Sequence, residues 1–426
     1  MIERKSRAET PEQAPRRARS RSAPRTTNGK TASRQGVFFS LEELPVTGRP
    51  ANTRAQTPQL RATVASWTRP WSEGPLSPQQ LEQYFSEGWV VVHDVLPRPV
   101  LDGAIRSVEG LVDDVAHLLQ ARGKITDSCK SASFRHRLMQ IEAQFKHANV
   151  LLHKKGILPE GIQHVWAHPK LMAIATQILG TDRDIMGHPV WNLRCKTPET
   201  LSLGQATVPW HQDNAYLDEE CWDKLQVTAW VPLVDTNLHN GCMQVVRGAH
   251  LSGITANHAC CVGGTWYTEV TPEELEATLG CNMAEDVVTC EVPFGSILLL
   301  NNLIPHRSME NRSDGIRWSL DLRWQRGGEP NGFNRVKDSV LMKPAGEMAA
   351  WDGRVAWGDW ATTERTSLQE KAVSEVDRNR VRAAGELEGR FDEDPELDTT
   401  ISGPWMSNWS LLHHNRHTSK IGGAAS

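Results

Sequence analysis

The sequence predicts a mainly β protein with flanking helices and a double-sheet jelly-roll core. Helical periodicity is confined to the part before residue 184 and to short later pieces. From Asp184 to Trp324 the chain instead carries about eight short segments that alternate apolar and polar residues. Clusters of Gly, Pro, Asn and Asp separate these segments, with no long helix between them, which favours two packed antiparallel sheets over a parallel α/β sheet.

The elements follow in order. Ser77-Pro-Gln-Gln80 supplies an N-cap, a Pro at the first helical position and a Gln three residues after the cap, so a short helix runs to Phe85. Gly88 ends it, and Trp89–Val92 is a strand. Pro97 and Pro99 open a longer helix whose apolar residues Leu101, Ile105, Val108, Leu111, Val112, Val115, Leu118 and Leu119 recur at helical spacing. A helical region follows over Ser133–Leu152, and another over His168–Leu179 stops at Gly180. The expected strands are Asp184–Lys196, Val208–Ala215, Gln226–Val234, Gly241–Val246, Val287–Pro293, Ser296–Asn301, His306–Met309 and Arg317–Trp324. Residues 250–286 form an insertion with one helix, Pro272–Leu279, capped by Thr271; such insertions commonly cover a binding mouth.

Three regions are expected. Residues 1–57 are rich in Arg, Ser, Thr and Pro, too poor in aliphatics to offset their ordering entropy, and read as a disordered basic tail. Residues 58–330 hold the jelly-roll domain, with regular structure from about Leu76, and residues 331–426 are an extension. In the extension, Ser367–Glu388 reads as an exposed helix. The tail Pro404–His417, with Trp405, Trp409, His413, His414 and His417, reads as docked or flexible in preference to a metal-binding cluster.

Composition narrows the function classes. With 426 residues, 39% hydrophobic and 23% charged, the chain can bury a sizeable core. A net charge of -4 does not suggest a nucleic-acid partner, and no apolar run is long enough to span a membrane. The basic, polar N-terminus lacks the apolar stretch of a secretory signal. The Pro15–Arg21 run permits a mitochondrial address, but Glu3, Glu9 and Glu12 weigh against one, so the cytoplasm is expected. The eight cysteines form no CxxC pairs and fit reduced thiols; adjacent Cys260 and Cys261 are the pair with redox potential.

The chemistry centres on Val208-Pro-Trp-His-Gln-Asp-Asn-Ala-Tyr216. On a strand, His211 and Asp213 project from one face and can share a metal ion. His306 is the candidate third ligand. Two histidines and one carboxylate with open positions are the facial triad of Fe(II) oxygenases. Arg317 follows across an expected hairpin with Asn311–Gly315 as its turn, which places it on the strand beside His306. Its planar fork, with Ser308 adding a hydroxyl, suits the far carboxylate of a 2-oxo acid such as 2-oxoglutarate. A zinc hydrolase using the same triad and a non-catalytic jelly-roll binding module are the alternatives.

The chain is similar to the phytanoyl-CoA dioxygenase family of Fe(II)/2-oxoglutarate oxygenases. The resemblance runs in order over about 76–330: Phe85–Val92, Trp210-His-Gln-Asp213, Thr228–Asp235, Asn240–His250, and His306-Arg-Ser308 followed by Arg317. It implies a double-stranded β-helix (jelly-roll, cupin-like) core, with His211, Asp213 and His306 binding Fe(II). It further implies Arg317 and Ser308 on the distal end of 2-oxoglutarate, Gln212 and Trp230 touching the co-substrate, Asn192 beside them, and His250 near the pocket. O2 is then the second co-substrate, ascorbate a possible reductant, and the substrate a small organic molecule, lipid, acyl-CoA or specialised metabolite. Related halogenases replace the carboxylate ligand with a small residue; Asp213 is present, so hydroxylation of an unactivated C–H bond is expected. Desaturation or ring closure is compatible with the same site.

Overall fold

Ser77 caps α1 (Pro78–Glu87) as the sequence predicts: its hydroxyl accepts from the Gln80 amide at 3.2 Å, and the Gln80 side chain accepts from the Ser77 amide at 2.9 Å. The computed structural model describes residues 73–202, 206–261, 263–363, 394–413 and 415–418. The basic tail 1–57, the start of the expected domain up to 72, the expected helix Ser367–Glu388 and His414 lie outside the described residues.

Four helices complete the face beside the sheet, after β1 (Trp89–Val92) and α2 (Arg98–Ala121): α3 (Arg137–Gln144), α4 (Ala148–Lys155), α5 (Glu160–Trp166) and α6 (Pro169–Leu179). The apolar stripe of α2 is buried at Leu101, Val108, Leu111, Val112, Val115 and Leu119, while Ile105 and Leu118 are half-buried at its edge. It packs along α5, where the Gly161 Cα lies so close to the Gly103 carbonyl that no Cβ fits. The helix expected over 133–152 is two helices, because Phe145 turns extended and His147 is left-handed at φ 69°.

The larger sheet runs β1–β9–β4–β11–β2–β12, with β3 beside β11, all antiparallel. Its members are β2 (Ile185–Gly187), β3 (Asn192–Lys196), β4 (Val227–Pro232), β9 (Ile297–Asn301), β11 (Arg317–Arg326) and β12 (Val340–Lys343). The expected strand 184–196 is split in two at His188–Trp191, where Pro189 cannot donate to a ladder. A second sheet joins β10 (His306–Ser308), β5 (Met243–Val246) and β8 (Val287–Cys290). A short third one joins β13 (Ser410–Leu411), β6 (Ala259–Cys260) and β7 (Thr268–Glu269). Antiparallel sheets with flanking helices are thus the observed class.

The insertion carries α8 (Pro272–Leu279), capped by the Thr271 hydroxyl; α7 (Glu199–Ser202) and α9 (Gly358–Thr362) are short. Parts of the expected extension pack on the body: β12 pairs with β2, and β13 pairs in parallel with β6. Cys260 and Cys261 are joined by a disulfide, against the expectation of eight reduced thiols; the other six are free. Among the described residues, no helix is long and apolar enough to cross a membrane.

Candidate metal centre and adjoining cavities

The segment expected as a strand over 208–215 is not one. His211 makes a single antiparallel bridge to His306, with backbone bonds of 3.0 and 2.9 Å, and Asp213 then begins a 3-10 turn, Asp213–Tyr216. The bridge, rather than strand alternation, brings the two imidazoles together, with ring centroids 4.2 Å apart. The turn swings the Asp213 carboxylate towards both: Oδ1 lies 3.9 Å from each Nε2. Among the described residues, His211, Asp213 and His306 are the one group of three His, Cys, Asp or Glu side chains able to share an ion, with ligand atoms within 4.8 Å of one another.

The surroundings prepare those atoms. His211 Nδ1 faces the Pro209 carbonyl at 2.9 Å, and His306 Nδ1 faces the Ile304 carbonyl at 3.0 Å. Each Nδ1 therefore carries the proton, and each Nε2 presents a lone pair to the space beside Asp213. Burial, then the neighbouring His306, holds the His211 pKa well below the ordinary imidazole value, so its neutral form is favoured. Burial would raise the Asp213 pKa, but Arg323 and the two imidazoles hold it well below the ordinary carboxylate range. Arg323 grips Asp213 from Nε at 3.1 Å and from Nη2 at 2.9 Å to both oxygens, while the Thr228 hydroxyl donates to Oδ2 at 3.1 Å. A site of two imidazole nitrogens and one carboxylate oxygen fits a divalent transition metal.

Arg317 is buried, but it is not on the strand beside His306: β10 belongs to the second sheet and β11 to the larger one. The expected hairpin fails because Met309–Ile316 carries the chain from one sheet to the other, and His306 and Arg317 meet across the intervening cavity of about 540 Å³. Arg317 donates to the Ser319 hydroxyl at 2.9 Å and the Gly241 carbonyl at 3.0 Å, and its carbon lies 5.0 Å above the Trp230 ring. Its buried Nε has no partner. Lys196 stands opposite Arg317 in the β3–β11 register, and its ammonium donates to Ser308 Oγ at 3.0 Å, Thr207 Oγ1 at 2.9 Å and the Ala206 carbonyl at 3.1 Å. Burial, then Arg317, holds the Lys196 pKa well below its usual value, and burial pushes that of Arg317 down to about 10. Among the described residues, neither cation has a carboxylate within 4 Å. Two adjacent buried cations surrounded by neutral acceptors are suited to a bound carboxylate.

Ser308 and Trp230 line this inner cavity with the two imidazoles. Asn192 faces an outer cavity of about 650 Å³ on the far side of Asp213 and donates to Asp321 at 3.3 Å. Gln212 lines neither cavity: its amide bonds the Ile254 and Leu303 carbonyls and the Ala256 amide, tying the insertion to the triad. His250 is buried against Gly88 and bonds the Phe85 carbonyl at 3.0 Å, a packing role away from the cavities. Sequence reasoning missed Lys196 and Arg323. The alternation along β11 puts Ser319, Asp321 and Arg323 on the face of Arg317, a polar series opposite Trp318, Leu320, Leu322 and Trp324 on a strand buried on both sides, and this series is the signal that could have found Arg323.

A family model described as phytanoyl-CoA dioxygenase (PhyH) matches residues 100–319, just over half of the chain. A phytanoyl-CoA dioxygenase of Arabidopsis thaliana is 22% identical over 60% of this chain and 96% of its own length. A 1-deoxypentalenic acid 11-beta-hydroxylase of Streptomyces arenae is 24% identical over 40% of this chain and 59% of its own. Among solved structures, the non-heme monooxygenase ThoJ in its apo form has a TM-score of 0.47 at 18% identity, covering 71% of this chain and all of that one. EctD from S. alaskensis with 2-oxoglutarate and 5-hydroxyectoine scores 0.40 at 17% identity, covering 66% of this chain and 85% of that one. The family match spans the stretch that supplies the two histidines, the aspartate, Lys196 and Arg317, and on that ground the chain belongs to the phytanoyl-CoA dioxygenase (PhyH) family.

Proposed function

We propose that the protein is an Fe(II)- and 2-oxoglutarate-dependent dioxygenase that hydroxylates an unactivated C–H bond of a small organic molecule. The observation that carries this reading is the pair of buried, carboxylate-free cations, Lys196 and Arg317, across a cavity from His211 and His306. A zinc hydrolase or an inert binding module has no use for such a pair at that place. The larger sheet and the β10–β5–β8 sheet are read as the two halves of a double-stranded β-helix, with residues 58–330 as the catalytic domain and 331–426 as its extension.

In this reading His211 Nε2, His306 Nε2 and Asp213 Oδ1 hold the iron. When bound, Fe(II) supplies the activation of O2 coupled to the conversion of 2-oxoglutarate to succinate and CO2. The protein's own contribution is placement. Arg323 and Thr228 fix the Asp213 carboxylate so that one oxygen faces the imidazoles. Arg317, Lys196 and Ser308 receive the distal carboxylate of 2-oxoglutarate, and Trp230 packs along the Arg317 side of the same cavity. The outer cavity, reached past Asp213, holds the substrate. Burial on all sides keeps bulk water from the reacting atoms. Ascorbate would serve as the reductant that returns oxidised iron to Fe(II). The names of the relatives, a phytanoyl-CoA dioxygenase and a 1-deoxypentalenic acid 11-beta-hydroxylase, suggest acyl-CoA esters and carboxylic acids as substrates to screen.

The test is succinate formation by the full chain with Fe(II), 2-oxoglutarate and extracts of candidate substrates. It must require O2 and vanish in Asp213→Ala. Product formation that persists without O2 would identify a hydrolase.

A further inference from the structure

We infer that the segment carrying Ile401 and Trp405 completes the wall of the outer cavity that selects the substrate, and that this wall selects an apolar, ring-bearing molecule over an extended chain. The inference rests on the oxygenase reading for the word substrate, but not for the binding site itself. The segment lies beyond the stretch matched by the family, 100–319.

Ile401 and Trp405 line the cavity together with Asp213 and Tyr216. They are held there from several directions. Trp405 Nε1 donates to the Trp266 carbonyl at 3.1 Å, and Trp409 Nε1 donates to the Ala215 carbonyl at 2.7 Å, on the very turn that carries Asp213. The Trp409 ring stacks on Trp222 at 5.9 Å with planes 1° apart. β13 runs beside β6, the Leu412 amide reaches the Cys260 carbonyl at 2.7 Å, and His413 contacts Glu269 at 2.6 Å. The segment is therefore anchored both to the insertion and to the metal-side turn. Gly403 completes the fit: a Cβ there would occupy the space of the Trp405 ring, so the absence of a side chain lets the indole fold back over the backbone into the cavity wall.

The shape of the wall gives the ligand class. Trp405 lies 5.9 Å from Tyr216, tilted by 60°, Trp266 and Tyr267 adjoin at 4.9 Å, and Phe333 lines the same cavity. Aromatic faces set at angles around the cavity make a wall that contacts rings on several sides. A flexible acyl chain would lose rotamer freedom to fill it and gain fewer such contacts. Asn192, His188, Asp213 and Arg323 are polar groups of the lining, Arg194 lies over the Tyr267 ring at 5.8 Å and His153 beside Trp266 at 5.5 Å, and the rest of the wall is the apolar surface of Ile401, Trp405, Trp266 and Phe333.

The test is isothermal titration of the full chain, saturated with Mn(II) and 2-oxoglutarate under argon, with 2-naphthoate and with octanoate. Wild type should bind 2-naphthoate at least about tenfold more tightly than octanoate, the scale of a lost aromatic contact. Trp405→Ala should remove that preference and Trp405→Phe should keep most of it, with Mn(II) and 2-oxoglutarate affinity unchanged in both; Trp405→Ala melts lower because it empties a buried site, and the titration is run well below its melt. Equal binding of the two probes by wild type, or a preference that survives Trp405→Ala, overturns the inference. Loss of 2-oxoglutarate binding by wild type with the naphthoate preference intact would instead remove the oxygenase reading and leave the wall.

Discussion

Arg323 and Asp213 form a two-pronged ion pair between β11 and the turn after His211, with three N–H to oxygen contacts of 2.9 to 3.1 Å. The pair fixes the carboxylate in the plane that points Oδ1 at the two imidazoles. Arg323→Gln leaves a hydrogen-bonding group but no charge and no fork. Metal affinity should fall by about 10–100-fold, the usual effect of losing a group that orients a ligand. Calorimetric titration with Mn(II) measures it, and wild-type affinity in that variant would show that Asp213 needs no such support.

Arg317 and Lys196 are expected to act as one anion site. Arg317→Met and Lys196→Met should each weaken 2-oxoglutarate binding, Arg317→Met by about 2–5 kcal/mol, with little change in metal affinity. Because the two groups share one carboxylate, the double variant should lose less than the sum of the single losses. Strict additivity, measured with Mn(II) present, would place the two cations in separate roles.

Glu142 gives a pH signature away from the metal. Burial pushes its pKa up to about 7 from 4.5, against the smaller effect of the Asn149 amide at 3.4 Å. Between these two values the folded protein keeps a proton that the unfolded chain has released, so stability must fall as pH rises from 4.5 to about 7. Glu142→Gln should remove this slope and stabilise the protein above pH 7 by an amount on the order of 3 kcal/mol relative to wild type. Urea unfolding at several pH values is the measurement; parallel curves for the two proteins would mean that Glu142 ionises in the fold without hindrance.

Gly161 tests the helical support of the sheet. A methyl group there meets the Gly103 carbonyl, which the two helices cannot move away from without opening their shared face. Gly161→Ala should cost about 1–3 kcal/mol in a thermal or urea melt, while metal binding by the folded fraction stays at the wild-type level. A neutral result would show that α5 can shift without loss.

Much of this arrangement is legible in the sequence because it is local. Ser77, Gly88, Thr271 and Gly180 mark helix ends through chemistry within a few residues. The apolar runs of β4 and β9 and the polar–apolar alternation of β11 go with burial of these strands in the sheet. His211, Asp213 and His306 stand out by residue type, although not for the reason that spacing suggests: a single bridge and a 3-10 turn, not a strand, align them. Long-range pairing is what spacing cannot reveal. The register that sets Lys196 against Arg317 joins residues far apart in the chain, and the crossing of Met309–Ile316 between sheets defeats a hairpin reading that local turn residues support. Gln212 shows the converse, a residue beside the triad whose side chain turns to the insertion.

The most direct measurement is an anaerobic absorption titration of the Fe(II)-loaded full chain with 2-oxoglutarate. A visible charge-transfer band should grow to saturation at one equivalent of 2-oxoglutarate per chain, and in Arg317→Met it should need far more 2-oxoglutarate to reach the same intensity. A spectrum that stays flat while iron is bound, or a band whose titration is indifferent to Arg317, would contradict the assignment.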